Sequence, residues 1–262
     1  PVTITCEEST DFKLTASQLS ESIGSKTKAI LLNSPSNPTG AEYTKDELAA
    51  LAEVLKQCPN VVIICDDIYN QLSFNGTGLS PHLLHVAPEL FDRCLCVNGM
   101  SKAYSMTGWR IGWVVGPQKL VKAVGSFQSQ TTGASCSISQ WASVTAINDC
   151  KQEVKDALVA LLERKDFFMD KMSSVPGMKI FSPQGAFYLW INIQDWVGKE
   201  YEGAKLNDSR KVAELLLEKE NLAVVPGQEF GLDGYLRLSF AATTKDLEEA
   251  ANRFRQFQQK LS

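Results

Sequence analysis

Three apolar runs, at residues 28–33, 61–65 and 95–97, each break without transition into polar side chains, and that repetition leaves the chain few architectures. The run VVIIC at 61–65 is continuous rather than alternating, the pattern of a strand covered on both faces in a parallel sheet. It stops abruptly at Asp66, Asp67, Ile68 and Tyr69. The first run leads into NSPSNPTG at 33–40, where two prolines prevent continuation as strand or helix and where Asn37 lies. The third leads into a polar loop holding Ser101, Lys102, Thr107 and Arg110, followed by another apolar run at 111–115. Helical patterns lie between the runs. One is expected at 14–23, and Thr44 with Glu47 makes a capping box that opens a helix whose Leu48, Leu51, Ala52 and Leu55 share a face. This alternation predicts an α/β fold, a mostly parallel sheet flanked by helices. In an open sheet of that kind, ligands bind in the loops at the carboxyl ends of the strands. Asn37, Asp66, Tyr69, Lys102 and Arg110 all follow such ends.

Beyond this region, Pro117 suits a first helical position, and helices are expected through 119–127, 139–148 and 151–172. A second, smaller α+β unit follows, with short strands near 178–181, 186–193, 222–225 and 235–240. Its helices are expected at 208–220 and 244–261, the latter with Leu247, Ala250, Ala251, Phe254, Phe257 and Leu261 in one stripe. The domains are set at 1–155 and 156–262. Arg237 alternates with Leu236, Leu238 and Phe240, so it leaves its strand on the face opposite to them. The alternative for Arg237 is a solvated sheet edge.

With 44% hydrophobic residues among 262, the chain can fill a substantial core, and its net charge of −4 gives no electrostatic case for nucleic acid or an anionic membrane. Small molecules or proteins are the expected partners. Seven cysteines, without the paired spacing of a zinc site, read as reduced core residues of a cytoplasmic protein, and no metal is expected. Cys94 and Cys96 are expected on alternate faces of a strand. Asp67 is expected to be a solvated or capping neighbour, Trp109 a packing residue, Tyr188 core, and His82 and His85 loop residues. The chain enters a strand pattern at 2–5 with no cap or arm, so a preceding segment is expected to be missing.

An amine and a guanidinium in one framed loop suit an anionic, carbonyl-bearing ligand: a deprotonated lysine condenses with carbonyls, and arginine grips phosphate bidentately. The ordered set Asn37-Pro-Thr-Gly40, Asp66-x-x-Tyr69, Ser101-Lys102 with Gly108-Trp-Arg110-x-Gly112, and Arg237-x-Ser-Phe resembles the fold-type I, pyridoxal-phosphate-dependent aminotransferases of classes I and II, closest to the bacterial aspartate and aromatic branch. The resemblance covers the carboxyl-terminal two thirds or so of such an enzyme. It implies pyridoxal 5'-phosphate as cofactor, amino acids and 2-oxo acids as substrates, and a homodimer. It further implies that Lys102 binds the cofactor covalently and moves the substrate's proton, that Asp66 pairs with the ring nitrogen, and that Asn37 and Tyr69 bond the phenolic oxygen. Arg110 would hold the phosphate, and Asn37 and Arg237 the substrate, with Arg237 on the α-carboxylate. Gly99 stands where many members place a Ser or Thr for the phosphate, leaving that contact to backbone or Ser101. The front part of such enzymes carries the glycine-rich helix start, the aromatic that stacks on the ring and the reader of the substrate's distal group. The alternatives are a lyase on the same scaffold, which uses the same Lys, Asp and Arg, and a fragment or regulatory ligand-binding module without turnover.

Overall fold

The computed structural model describes residues 2–262 and divides into two compact units. The first comprises the chain through Ser36, Ala41–Leu158 and Gln184–Ala186; the second comprises Asn37–Gly40, Val159–Pro183 and Phe187–Ser262.

In the first unit α1 (Ala16–Ser22) starts at a capping box between Thr15 and Gln18, which satisfies two amides that a helix start otherwise leaves bare. Strand β1 (Ala29–Asn33) precedes α2 (Lys45–Lys56), whose cap is the Thr44–Glu47 box. Then come β2 (Val62–Asp66), the single-turn α3 (Leu83–Val86), β3 (Cys94–Gly99) and β4 (Gly112–Val115). The order is β1-β2-β3-β4, parallel among the first three and antiparallel at the last pair. One face is covered: Leu19, Leu48, Leu51, Leu55, Ile63, Cys65, Leu83 and Cys94 form a buried cluster. Each fully buried leucine contributes roughly 1.5–3 kcal/mol. The other face carries Leu31, 63% exposed, and Val97, 38% exposed. Helices α4 (Gln118–Thr131) and α5 (Ser137–Asp149) follow, then α6 (Lys151–Ser173). Pro117 caps α4 from outside instead of opening it.

The second unit has the sheet β5-β6-β10-β9, formed by β5 (Lys179–Phe181), β6 (Tyr188–Asn192), β9 (Val225–Pro226) and β10 (Tyr235–Ser239). Between β6 and β9 come the small pair β7 (Glu200–Tyr201) and β8 (Ala204–Lys205), which the sequence pattern does not announce, and α7 (Ser209–Glu220). The last element is α8 (Thr244–Gln259), which buries Leu247, Ala251, Phe254 and Phe257. Aromatic stacking fills this core, with Trp190 on Tyr235 at 5.1 Å and 6° and Tyr201 on Phe257 at 4.4 Å and 15°.

Several expectations are corrected. Residues 2–5 form no strand, since no described strand pairs with them and Val2 is exposed. Residues 222–224 are not strand either: Asn221 ends α7 in the left-handed region, the Leu222 amide turns back to Leu216, and Pro226 has no N–H to extend a ladder. Cys94 and Cys96 share a face, as a period of two requires of residues i and i+2, and their thiols interact. All seven cysteines are free, but Cys136 is exposed and only Cys65 and Cys94 are buried. Trp109 is 44% exposed, on a short turn. His82 and His85 belong to α3, His82 as its cap. Tyr188 is buried, as expected.

Candidate active site

The first unit gathers Asp66, Tyr69, Lys102 and Arg110 around the loops that follow β2 and β3. Asp66 is the last residue of β2, in register with Asn33 and Val97. Its Oδ1 accepts the Ile68 amide at 3.2 Å. Burial pushes the carboxyl pKa up, the Ile68 amide opposes this, and the charge of Asp67 adds to it. Such a carboxyl gains from a cationic partner that restores its ionised form.

Tyr69 is 4% exposed, and the Lys102 ammonium lies 5.7 Å from the centre of its ring. The loop bearing Lys102 is closed at its neck by glycines. Gly99 pairs with Gly112; a Cβ on Gly99 would lie 2.9 Å from the Ile111 carbonyl oxygen, and one on Gly112 2.8 Å from that of Asn98. Only residues without Cβ let these strands approach so closely. Within the loop the Met100 amide bonds to Ile111, Ser105 to Lys102 and Met106 to Met100, and the Met100 side chain is fully buried. Lys102 thus leaves a braced turn. Arg110 sits at φ 52°, in the left-handed region that disfavours a side chain, and its Nη1 donates to the Thr107 carbonyl at 3.0 Å. Ser105 is also left-handed, at φ 53°. Two strained non-glycine residues in one loop are a feature that clusters at functional sites, and nothing in the residue types announces it.

The second unit brings Asn37 and Arg237 together, although 200 residues separate them: Arg237 Nη1 donates to Asn37 Oδ1 at 2.8 Å. Since arginine can only donate, the amide must present its oxygen to Arg237 and its NH2 elsewhere. The guanidinium also lies 4.5 Å from the centre of Tyr188 and 5.0 Å from that of Phe230. These rings fix its plane and favour its charge. Because β10 runs between β6 and β9, the solvated-edge alternative for Arg237 does not hold. The sequence pattern does not announce Tyr188 and Phe230 as partners of Arg237: Tyr188 is expected only as a core residue of a strand at 186–193, and the pairing of that strand with β10 is not in the local pattern.

Asp67 differs from expectation. Its side chain is 13% exposed and its Oδ2 lies 3.2 Å from His82 Nε2. Successive strand residues point to opposite faces, so Asp67 joins Cys65 on the helix-covered face and Asp66 joins Ile64 on the other. One carboxylate of the pair is already engaged by the protein's own core-side histidine; the other lies on the uncovered face.

The sequence profile of the family "Aminotransferase class I and II" matches residues 1–254. A probable aspartate/prephenate aminotransferase of Rickettsia felis is 42% identical over 254 residues, covering 97% of this chain and 62% of the relative. The aspartate/prephenate aminotransferase of Cereibacter sphaeroides is 42% identical over 258 residues, covering 98% and 64%. Among solved structures, the aspartate aminotransferase of Rhizobium meliloti matches with a TM-score of 0.95 at 38% identity, over all of this chain and 66% of the other. The chain spans less than two thirds of the length of these curated relatives.

Proposed function

The chain belongs to the class I and II aminotransferase family, and on that premise we propose that it forms the greater part of a pyridoxal-phosphate-dependent aminotransferase. The reaction moves an amino group between an amino acid and a 2-oxo acid, with aspartate or a related acidic or aromatic amino acid as donor. The names of the relatives and structural neighbours support that substrate class. A homodimer is inferred from the family resemblance, and a cytoplasmic setting is supported by the free thiols. No helix among the described residues is long and apolar enough to cross a membrane.

The carrying observation is the donor set of the first unit: an amine, a phenol, a half-buried carboxyl and a guanidinium, all at the loops following β2 and β3. These fit pyridoxal phosphate group by group. When bound, the cofactor supplies a sink for the electron pair left on the substrate's Cα. Asp66 would pair with the ring nitrogen and hold its proton, a pairing that its partial burial would strengthen. The family resemblance gives Tyr69 and Asn37 as the residues that would donate to the phenolic oxygen. Arg110 would take the phosphate. Lys102 would hold the cofactor's carbonyl carbon and would serve as general base and acid for the proton at the substrate's Cα. Arg237 takes the α-carboxylate, its plane set by Tyr188 and Phe230.

The test is product analysis of the cofactor-loaded protein with aspartate and 2-oxoglutarate. Oxaloacetate and glutamate formed in equal amounts support this reading. Pyruvate with free ammonia from cysteine-type substrates, without transfer, would establish the lyase; no turnover at all would favour the non-catalytic module.

A further inference from the structure

Asp67 Oδ2, His82 Nε2 and Cys96 Sγ lie within 4.8 Å of one another, a spacing that a divalent ion could bridge. The ring decides against it. The Leu84 amide donates to His82 Nδ1 at 3.1 Å, so Nδ1 offers its lone pair and the ring proton sits on Nε2, the nitrogen a metal would need bare. What Nε2 faces is Asp67 Oδ2 at 3.2 Å and Cys96 Sγ at 3.7 Å. Its N–H therefore donates to a carboxylate. Asp67 and Cys96 push the His82 pKa up, while the Leu84 amide, which needs a bare Nδ1, opposes a second proton there and favours the neutral ring protonated at Nε2. In the neutral and the charged ring alike, Nε2 carries the proton that Asp67 accepts.

We propose that His82 is a positioning residue for the carboxylate pair at the end of β2: it ties Asp67 to the helix-covered face and offsets its charge, leaving Asp66 as the ionised carboxylate of the uncovered face. The inference rests on the reading of Asp66 as partner of the cofactor's ring nitrogen. The groups facing Asp67 and His82 are few. Asp66 adjoins on β2, Cys65 and Cys94 touch across β2 and β3 at 3.7 Å, Cys96 lies beside Cys94, and His85 is 5.8 Å away, ring to ring. Hydrogen bonds with neighbouring thiols, together with burial, push the thiols of Cys94 and Cys96 well above the usual range, so neither adds charge near neutrality. Burial is the main cause that raises the Asp66 pKa, and the adjoining charge of Asp67 adds to it. Removing the histidine donor leaves that charge uncompensated, and Asp66 then keeps its proton to a higher pH.

The experiment measures cofactor affinity against pH for the full protein. Affinity falls on the acid side as Asp66 takes up a proton, so the acid limb reports its pKa. His82→Leu is expected to move that limb to higher pH and to weaken binding on it about threefold to tenfold. His82→Gln, which keeps an N–H donor, is expected to behave like the parent. Asp67→Asn is expected to move the limb to lower pH, and in that background His82→Leu is expected to have no further effect. A His82→Leu loss that persists undiminished beside Asp67→Asn, or an unmoved limb in both single variants, overturns the proposal. Should His82→Leu fail to fold, Asp67→Asn and His82→Gln still decide it. If Asp66→Asn leaves affinity and its pH dependence unchanged, the role of Asp66 has failed instead. The nitrogen chemical shifts of His82 then judge the tie alone: a protonated Nε2 supports it, and a proton on Nδ1 only overturns it.

Discussion

In the first unit the ionisable groups stand at or beyond strand ends, with Lys102 on a turn braced by Met100 and Arg110 in a left-handed backbone, whereas in the second Arg237 stands mid-strand between two paired neighbours. The loop groups gain freedom of approach and are held by backbone hydrogen bonds and glycine contacts. Arg237 gains a fixed plane from Tyr188 and Phe230, inside a core that also stacks Trp190 on Tyr235. Substitutions in the two places should therefore fail differently: in the loops chemistry goes and packing stays, while at the strand binding and packing change together.

Lys102→Ala is the sharpest case. It should lower turnover by several powers of ten, about what loss of a positioned acid and base costs on top of loss of the anchor, and change stability by less than about 0.5 kcal/mol. Turnover and thermal unfolding of the same preparation check both halves. Asp66→Asn should slow proton abstraction at Cα by several powers of ten, since a neutral amide cannot hold the ring proton, and Asp67→Asn should cost much less. Equal losses, measured by exchange of the α-proton, would dissolve the distinction between the two faces of β2.

Arg237→Lys keeps the charge but loses the fork and its fit between the rings. A cost of roughly 1.5–3 kcal/mol is expected, about one to two powers of ten in kcat/KM, and it should be similar for an acidic and an aromatic amino acid because both present an α-carboxylate. A loss confined to the acidic substrate would make Arg237 a reader of side chains.

The smallest effect concerns stability. Because burial holds the Asp66 pKa above its unfolded value, this carboxyl favours the folded state below the ordinary carboxylate range, and that contribution is lost as pH rises through the folded pKa. Asp66→Asn should therefore stabilise the cofactor-free protein modestly at neutral pH, with the gain fading as pH falls into the carboxylate range. Denaturant unfolding at both ends of that window would show it. Function and stability pull apart at this residue.

The strand ends were legible because a continuous apolar run that stops in Asp66 and Asp67 fits little besides a buried strand reaching the edge of its sheet, and the Thr44–Glu47 box was legible because capping is local chemistry. Neighbourhoods formed across distance were not. The Asp67–His82 contact spans 15 residues and the Asn37–Arg237 bond 200, and neither leaves a trace in periodicity. The left-handed Ser105 and Arg110 were equally silent, because loop closure, not residue type, imposes their backbone. The shared face of Cys94 and Cys96 was open to inference from the two-residue period alone.

The most direct test of the account is borohydride reduction of the cofactor-loaded protein followed by peptide mapping. The account predicts the cofactor fixed on the peptide carrying Lys102, with Lys102→Ala giving no label. Label on any other lysine, or label that survives Lys102→Ala, would contradict it.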